Sequence, residues 1–119
     1  MAVKAAANDL KKVALELGGK SPNIILEDAD LATAIPGAAN AIFLTREEIF
    51  GPAVTASPFK DADEDLLRRA NDTSYGPAAG VCTRDIGKAH RIANRLRAGT
   101  VWINCYNIFC DALPFGGHK

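Results

Sequence analysis

Short apolar runs alternate along this chain with stretches in which apolar residues recur every three or four positions. The runs predict strands at Val13–Leu15, Asn23–Leu26, 53–59, Ala78–Cys82 and Val101–Ile103. The spaced stretches predict helices at 30–43, Asp61–Asn71 and Ile86–Ala98, and alanine content adds a short helix at 5–12. Because strands alternate with helices, the pattern favours an α/β fold with a mostly parallel sheet.

Capping residues predict where these helices begin and end. Asp28 or Asp30 can cap the helix at 30–43, and Pro36 inside it predicts a kink or a late start because proline lacks a backbone donor. Asp85 can cap the helix that Gly99 ends. The apolar positions are Leu31, Ala34, Ile35, Ala38 and Ala39 in the first of these helices, Leu66, Leu67 and Ala70 in the second, and Ile86, Ala89, Ala93 and Leu96 in the third.

Composition narrows the class of protein. With 119 residues the chain can bury one modest core, and 14 basic residues balance 14 acidic ones. Without a basic field, neither nucleic acid nor a membrane surface is an expected partner. No apolar run is long enough to span a membrane, and Met1–Lys4 begins no secretory signal. Three cysteines without framework spacing indicate a reducing compartment, so we expect a cytoplasmic protein.

One stretch suggests chemistry, namely Leu15-Glu16-Leu17-Gly18-Gly19-Lys20. Glu16 ends an apolar run, where a buried carboxylate needs a partner or a cavity. The two glycines that follow let the backbone approach a ligand closely. This arrangement suits a general base beside a cofactor. The alternative is a surface glutamate in front of a Gly-Gly-Lys turn, and the residues alone favour that alternative.

Three motifs in this order resemble the NAD(P)-dependent aldehyde dehydrogenases. Glu16-Leu17-Gly18-Gly19 resembles the family's active-site glutamate motif, and Glu47-Glu48-Ile49-Phe50-Gly51-Pro52 resembles its cofactor-ribose segment. Gly99–Tyr106, with Pro114-Phe115-Gly116-Gly117 after it, resembles the strand and loop beside the substrate tunnel. The resemblance covers nearly the whole chain.

The resemblance implies oxidation of an aldehyde to a carboxylic acid with NAD or NADP. In the family a cysteine thiolate attacks the carbonyl, hydride leaves to the nicotinamide, and water hydrolyses the thioester. By motif match, Glu16 is the catalytic base, and Leu17 and Gly18 lie along the nicotinamide. Glu48 accepts hydrogen bonds from the ribose hydroxyls, with Phe50 nearby. Phe109 and Phe115 line the substrate tunnel. The loop after Asn104 resembles members that act on aromatic aldehydes or aminoaldehydes.

The chain departs from the family at Leu44-Thr45-Arg46. A run like Asn40–Phe43 leads into the nucleophilic cysteine in the family, and a long stretch then precedes the segment resembling Glu47–Phe50. Here the two segments nearly adjoin, so we expect an internal deletion that removes the nucleophile. This short connection predicts that residues 53–106 keep their α/β packing while residues 1–50 dock loosely or rearrange.

None of the three cysteines matches the family nucleophile. Cys82 and Cys105 are expected to pack as small apolar residues. Cys110 is a weak substitute in a loop, where no basic neighbour would lower its pKa, although it should alkylate fastest. Cys105, Cys110 and His118 lack a fourth ligand for a structural zinc site, so no metal is expected. His90 is expected at the surface and the end of the chain at His118-Lys119 is expected to fray.

These features divide the chain into two parts. Residues 1–44 are expected to be a remnant of the junction between coenzyme and catalytic domains, and residues 45–119 the C-terminal part of the catalytic region. The first interpretation is a partial aldehyde dehydrogenase that is inactive alone and binds coenzyme weakly. The resemblance implies a family of homo-oligomers, and we expect the segment that pairs subunits to be absent from this chain. The alternatives are a non-catalytic module that binds a partner, and a gene product without a function of its own.

Overall fold

The computed structural model describes residues 19–44, 55–60 and 63–118. Three strands and three helices lie within them, with two helices between the first two strands and one between the last two. The strands are β1 (Asn23–Ile25), β2 (Ala78–Cys82) and β3 (Thr100–Ile103), and the helices are α1 (Leu31–Leu44), α2 (Asp63–Asn71) and α3 (Ile86–Ala93). The helix predicted at 5–12 and the strand predicted at Val13–Leu15 lie outside the described residues.

The three strands form a parallel sheet in the order β1-β2-β3. Asn23 pairs with Gly80, and Gly80 pairs with Trp102, so these three residues share one row and one face of the sheet. Parallel neighbours need crossover connections, which α3 provides between β2 and β3. The predicted α/β fold with a parallel sheet is confirmed.

The core lies between one face of the sheet and helices α2 and α3. Alternation along the strands points Ile24, Ala79 and Val81 to this face. Leu66 and Leu67 of α2 are buried against it, as predicted. The core also contains Leu26, Ile92 and Leu96, with Phe59, Ala70, Ala98 and Val101 packed at its edge.

Helix α1 differs from its prediction in two respects. Asp30 caps the helix, because its Oδ1 accepts a hydrogen bond from the Ala32 amide at 3.1 Å. The helix begins at Leu31 and continues through Pro36, so a late start is wrong, while the kink stays a prediction. Among its predicted apolar positions only Ala34 is fully buried, and Leu31 and Ile35 are mostly exposed.

Helix α3 is shorter than predicted. Asp85 caps it through a 3.0 Å hydrogen bond from the Lys88 amide, but the helix ends at Ala93 rather than Ala98. Gly99 therefore does not end it. Its buried face is Ala89 and Ile92, and Ile86 is exposed because it lies in the first turn, outside the core. His90 is exposed, as predicted.

Three further predictions concern residues outside the helices. Residues 55–60 form no strand, so the strand predicted at 53–59 is wrong for the part that is described. The His118 amide donates to the Gly76 carbonyl at 2.9 Å, so His118 is anchored rather than frayed. Asn23–Ile25 pair with β2 in register, and loose docking or rearrangement of residues 1–50 stays a prediction. Among the described helices, none has the length and apolar character needed to cross a bilayer.

Candidate functional site

A polar network lies at the carboxyl ends of the three strands. The Thr83 side chain, only 2% exposed, donates from Oγ1 to both carboxylate oxygens of Asp28 at 2.7 Å. Asp28 also accepts from the amides of Arg84 at 3.0 Å and Asp85 at 3.2 Å. The Thr83 amide donates to Asn104 Oδ1 at 2.9 Å, so residues that follow all three strands are joined. The network fixes the edge where parallel α/β sheets bind ligands.

These donors change the titration of Asp28. The Thr83 hydroxyl and the two amides stabilise the carboxylate and lower the pKa of Asp28 below its ordinary value of 3.8, although partial desolvation opposes them. A lowered pKa in the folded state means that ionised Asp28 contributes stability above about pH 4. That contribution is lost as the pH falls through the lowered folded value.

We expect Asp28→Asn to destabilise the protein most near pH 7, and the difference from the wild type to shrink below about pH 4. Protonated Asp28 resembles asparagine, so the two proteins converge in acid. Urea denaturation followed by circular dichroism at several pH values measures the difference. Asp111→Asn, in the exposed C-terminal loop, is the control and should show no such convergence. A difference that stays constant from pH 7 to pH 3 would contradict the assignment.

The face of the sheet opposite the core is covered by the segment after β3. Asn104 has a positive φ of 54°, and the chain turns there onto β2. A Cβ added to Gly80 would lie 2.6 Å from Tyr106 Cδ2, so the glycine makes room for the tyrosine ring. Burial raises the pKa of Tyr106, partly offset by its hydrogen bond with Ser21. Asn23 Oδ1, beside Gly80, is buried and accepts no hydrogen bond within the described part of the chain.

Four aromatic rings form a cluster on this face, which we call the aromatic cluster: Trp102, Tyr106, Phe109 and Phe115. Trp102 is its centre, with ring centroids 4.9 Å from Tyr106, 5.5 Å from Phe109 and 6.5 Å from Phe115. Phe109 and Phe115 meet edge to face at 5.1 Å. The indole Nε1 donates to the Ile108 carbonyl at 2.8 Å, which fixes the loop against the ring.

The structure brings together two of the predicted site residues, Phe109 and Phe115, which contact each other directly. The other predicted site residues, Glu16, Leu17, Gly18, Glu48 and Phe50, lie outside the described residues. Sequence reasoning missed Trp102 and Tyr106 as partners of the two phenylalanines. A signal was present in Gly80, because a glycine inside a strand indicates close approach by another group.

Gly19, which follows the glutamate motif, packs against Pro77. A Cβ added to Gly19 would lie 2.5 Å from Pro77 Cγ, so this position requires glycine for packing alone. The contact places the end of the motif beside the amino end of β2, which begins at Ala78. Gly19 therefore has a structural reason to be glycine, independent of any ligand.

A cleft of about 630 Å³ on the helix side is a poorer candidate for a functional site. It is lined by Glu64, Leu67, Arg68, Asn71, Asp72, Arg95 and Arg97. Arg95 pairs with Glu64 at 2.6 Å, and Arg68 pairs with Asp65 at 2.8 Å, both at exposed positions. The cleft shares no residue with the aromatic cluster or with the Asp28 network. Across the described ranges, no group of three or more His, Cys, Asp or Glu side chains could hold a metal ion.

A parallel sheet with helices on its core face, a polar carboxyl edge and aromatic side chains on the other face defines an α/β domain of the kind that binds small molecules. Comparison with known proteins identifies the family. The model of the aldehyde dehydrogenase family matches residues 1–46 and 42–119. The chain belongs to the aldehyde dehydrogenase family.

Individual relatives agree with this assignment. A betaine aldehyde dehydrogenase of Mesorhizobium japonicum is 43% identical over 108 residues, which cover 88% of this chain and 22% of the relative. A benzaldehyde dehydrogenase of Antirrhinum majus is 51% identical over 78 residues, covering 66% of this chain and 14% of the relative. The solved aldehyde dehydrogenase of Bacillus cereus in complex with NAD+ is 31% identical with a TM-score of 0.78, covering 98% of this chain and 44% of that one.

The chain spans less than half the length of these relatives. The Bacillus subtilis protein DhaS is 31% identical over 216 residues, a comparison that covers 98% of this chain and 43% of DhaS. Because this chain has only 119 residues, a long stretch of DhaS has no counterpart within it. The two matches to the family model meet at residues 42–46, where the sequence predicts the deletion.

Proposed function

We propose that this chain carries the substrate-tunnel wall and parts of the coenzyme site of an NAD(P)-dependent aldehyde dehydrogenase, and that it does not oxidise aldehydes alone. One observation carries the proposal: the family match breaks at residues 42–46, between the glutamate motif and the segment resembling the ribose site. The family nucleophile belongs in the stretch that the sequence predicts to be deleted there. Without it no thioester forms, and hydride transfer has no precursor.

The aromatic cluster is the proposed wall of the substrate tunnel. Phe109 is 60% exposed and Phe115 is partly exposed, so both rings can contact a ligand while Trp102 holds them in place. Apolar walls of this kind select apolar or aromatic aldehydes, and aromatic faces also accept cationic groups. The named relatives, a benzaldehyde and a betaine aldehyde dehydrogenase, act on one aldehyde of each kind. The substrate class that we propose is therefore an aldehyde with an aromatic or a quaternary ammonium group.

The remaining roles rest on motif match. Glu16 would act as the base for water, Leu17 and Gly18 would lie along the nicotinamide, and Glu48 with Phe50 would contact its ribose. NAD or NADP, when bound, supplies the hydride acceptor. These groups hold only the nicotinamide end, and a few ribose contacts do not offset the entropy lost on binding, so weak coenzyme binding is proposed. A cytoplasmic location completes the proposal.

The cysteines in the described residues are poor substitutes for the nucleophile. Burial raises the pKa of the Cys82 thiol, with a smaller contribution from Cys105, so less of it is ionised near pH 7. Cys105 is half-buried, and Cys110 is exposed in the loop next to Phe109. Of the three, Cys110 is best placed to meet a ligand at the aromatic cluster.

We expect the purified chain to form no NADH or NADPH from benzaldehyde, betaine aldehyde or a short aliphatic aldehyde. The physical reason is the missing thiolate, which no described cysteine replaces. Absorbance at the reduced-nicotinamide band, at saturating coenzyme, measures the rate. The Mesorhizobium japonicum relative, assayed in parallel, shows that the assay detects turnover.

Variants distinguish a real activity from a contaminant. If the wild-type chain forms reduced coenzyme, Cys110→Ser and Glu16→Gln are assayed beside Cys82→Ser. Loss of activity in the first two, with activity kept in Cys82→Ser, would overturn the proposal and identify Cys110 as the nucleophile. A rate that is the same in all of these variants indicates a contaminating enzyme and leaves the chain itself inactive, as proposed.

A second candidate function, non-catalytic binding of another protein, is favoured by apolar exposure in the loop after Trp102. Ile108, Phe109 and Leu113 are each at least 60% exposed, and Leu113 reaches 70%. Large apolar side chains close together on a surface are typical of protein contacts. The two candidate functions differ in one observable. A non-catalytic binding module would form a stable complex with its protein partner, and it would neither bind an aldehyde nor compete for one.

A further inference from the structure

Two cysteines lie near each other at the carboxyl edge of the sheet, outside every role given above. Cys82 is the last residue of β2 and Cys105 follows β3 by two residues. Both are free thiols and both are half-buried. Neither has a counterpart among the residues assigned to substrate or coenzyme.

Strand register places Asn104 beside Cys82, which brings Cys105 within one residue of the position opposite Cys82. Val81 pairs with Ile103, and the pairing continues one step further because the Asn104 amide donates to the Val81 carbonyl at 2.9 Å. Asn104 Oδ1 then accepts from the Thr83 amide at 2.9 Å, so Asn104 is held beside Cys82 from both sides. Neighbouring strands lie about 4.8 Å apart, and Cys105 is one residue beyond Asn104.

The direction of the chain brings Cys105 over Cys82 rather than away from it. Cys82 shares a sheet face with Gly80, since strand residues two apart point to the same side. The positive φ of Asn104 turns the chain onto this face, where the Tyr106 ring lies on Gly80. Cys105, between Asn104 and Tyr106, therefore crosses β2 close to Cys82.

We propose that Cys82 and Cys105 form a reversible disulfide that locks the β2–α3–β3 unit under oxidising conditions, independently of the proposed function. The disulfide needs Cα atoms about 4.4–6.8 Å apart, and Cys105 lies one residue beyond Asn104, which faces Cys82 across a strand spacing of about 4.8 Å. The closed loop runs from the last residue of β2 through α3 and β3. This crosslink stabilises the fold because it removes conformations from the unfolded chain.

A peroxide is the oxidant that this pair would meet, and the step balances. The Cys105 thiolate attacks one peroxide oxygen, giving a sulfenic acid and releasing hydroxide, which takes up a proton to become water. The Cys82 sulfur then attacks the Cys105 sulfur, the S–S bond forms, and the sulfenic oxygen leaves as a second water. The two thiols lose two electrons and two protons in total, which the peroxide accepts. Cys105 reacts first because burial keeps more of Cys82 protonated.

The full chain is reduced, treated with an equimolar amount of hydrogen peroxide, blocked with iodoacetamide and digested without reduction. We expect a crosslinked peptide pair containing Cys82 and Cys105, with Cys110 alkylated, and a higher midpoint of thermal unfolding that dithiothreitol reverses. Cys110→Ser is the matched control and should give the same crosslink. In Cys82→Ser, the reagent dimedone should trap a sulfenic acid at Cys105.

Each alternative product overturns the proposal. A crosslink that joins two chains through Cys110, or one that pairs Cys110 with either other cysteine, assigns the chemistry to the exposed loop. Separate over-oxidation of Cys82 and Cys105 without a crosslink shows that the two sulfurs do not meet. Iodoacetamide should label all three cysteines of the reduced wild type completely only after denaturation. This labelling separates burial of the thiols from loss of the fold.

Discussion

Replacing Trp102 with alanine is expected to lower the free energy of unfolding by about 3–5 kcal/mol, the usual cost of removing a large buried aromatic side chain. Trp102 is 7% exposed, contacts three other rings and donates a hydrogen bond to the Ile108 carbonyl. The total free energy of unfolding of a domain of this size is about 5–15 kcal/mol, so much of its stability depends on one residue. Urea denaturation followed by far-ultraviolet circular dichroism measures the change.

The matched variant is Trp102→Phe, which keeps a ring at the centre of the aromatic cluster but loses the indole donor. This variant should lower the free energy of unfolding by about 1–2 kcal/mol, because it loses a hydrogen bond and packs slightly less well. An alanine variant as stable as the phenylalanine variant would mean that the cluster contributes little to folding. In that case Phe109 and Phe115 are not held by Trp102, and the proposed tunnel wall loses its support.

The second large effect is expected at Gly99. Replacing it with alanine should lower the free energy of unfolding by about 3 kcal/mol, which is in the upper part of the range for overpacking a core. A Cβ at this position would overlap the carbonyl oxygen of Gly116, which is backbone and cannot rotate away. Gly99 and His118 also donate their amides to the same acceptor, the Gly76 carbonyl, so a shift here disturbs both contacts. Thermal unfolding compares the variant with the wild type.

Gly116→Ala tests whether the effect belongs to the position rather than to the residue type. Among the described residues, no atom outside its chain neighbours lies within 4 Å of a Cβ added to Gly116, so alanine should change stability by less than about 1 kcal/mol. Equal destabilisation by both variants would indicate that loss of glycine flexibility, and not the contact between Gly99 and Gly116, explains the result.

The sheet could be predicted from the sequence because its determinants are local. Asn23–Ile25, Ala78–Cys82 and Thr100–Ile103 each carry a short apolar run, and Asp85 caps α3 through a residue three positions away. The end of α3 could not be read in the same way. Helical spacing continues to Leu96, and Leu96 is buried, although the helix has already ended at Ala93.

The candidate site depended on contacts between residues far apart in the sequence. Phe109 and Phe115 were predicted by resemblance, but only the fold shows that Trp102 joins them. Asp28 and Thr83 are 55 residues apart, and no pattern around either residue predicts their hydrogen bonds. Leu31 and Ile35 show the opposite failure, because these two large apolar residues of a regular helical face on α1 remain mostly exposed.

The break in the family match falls in the crossover between β1 and β2, and this position has a consequence for how the chain can be altered. β1 is held by its register with β2 and not by the length of the connection, and the cost of closing a flexible loop grows only slowly with its length. Material can therefore be lost or gained there without reordering the strands. Within this crossover α2 belongs to the core, as α3 does between β2 and β3, so the freedom is confined to the position of the break. A foreign domain inserted after Leu44 should consequently leave the three strands in order, which makes this position suitable for attaching a reporter.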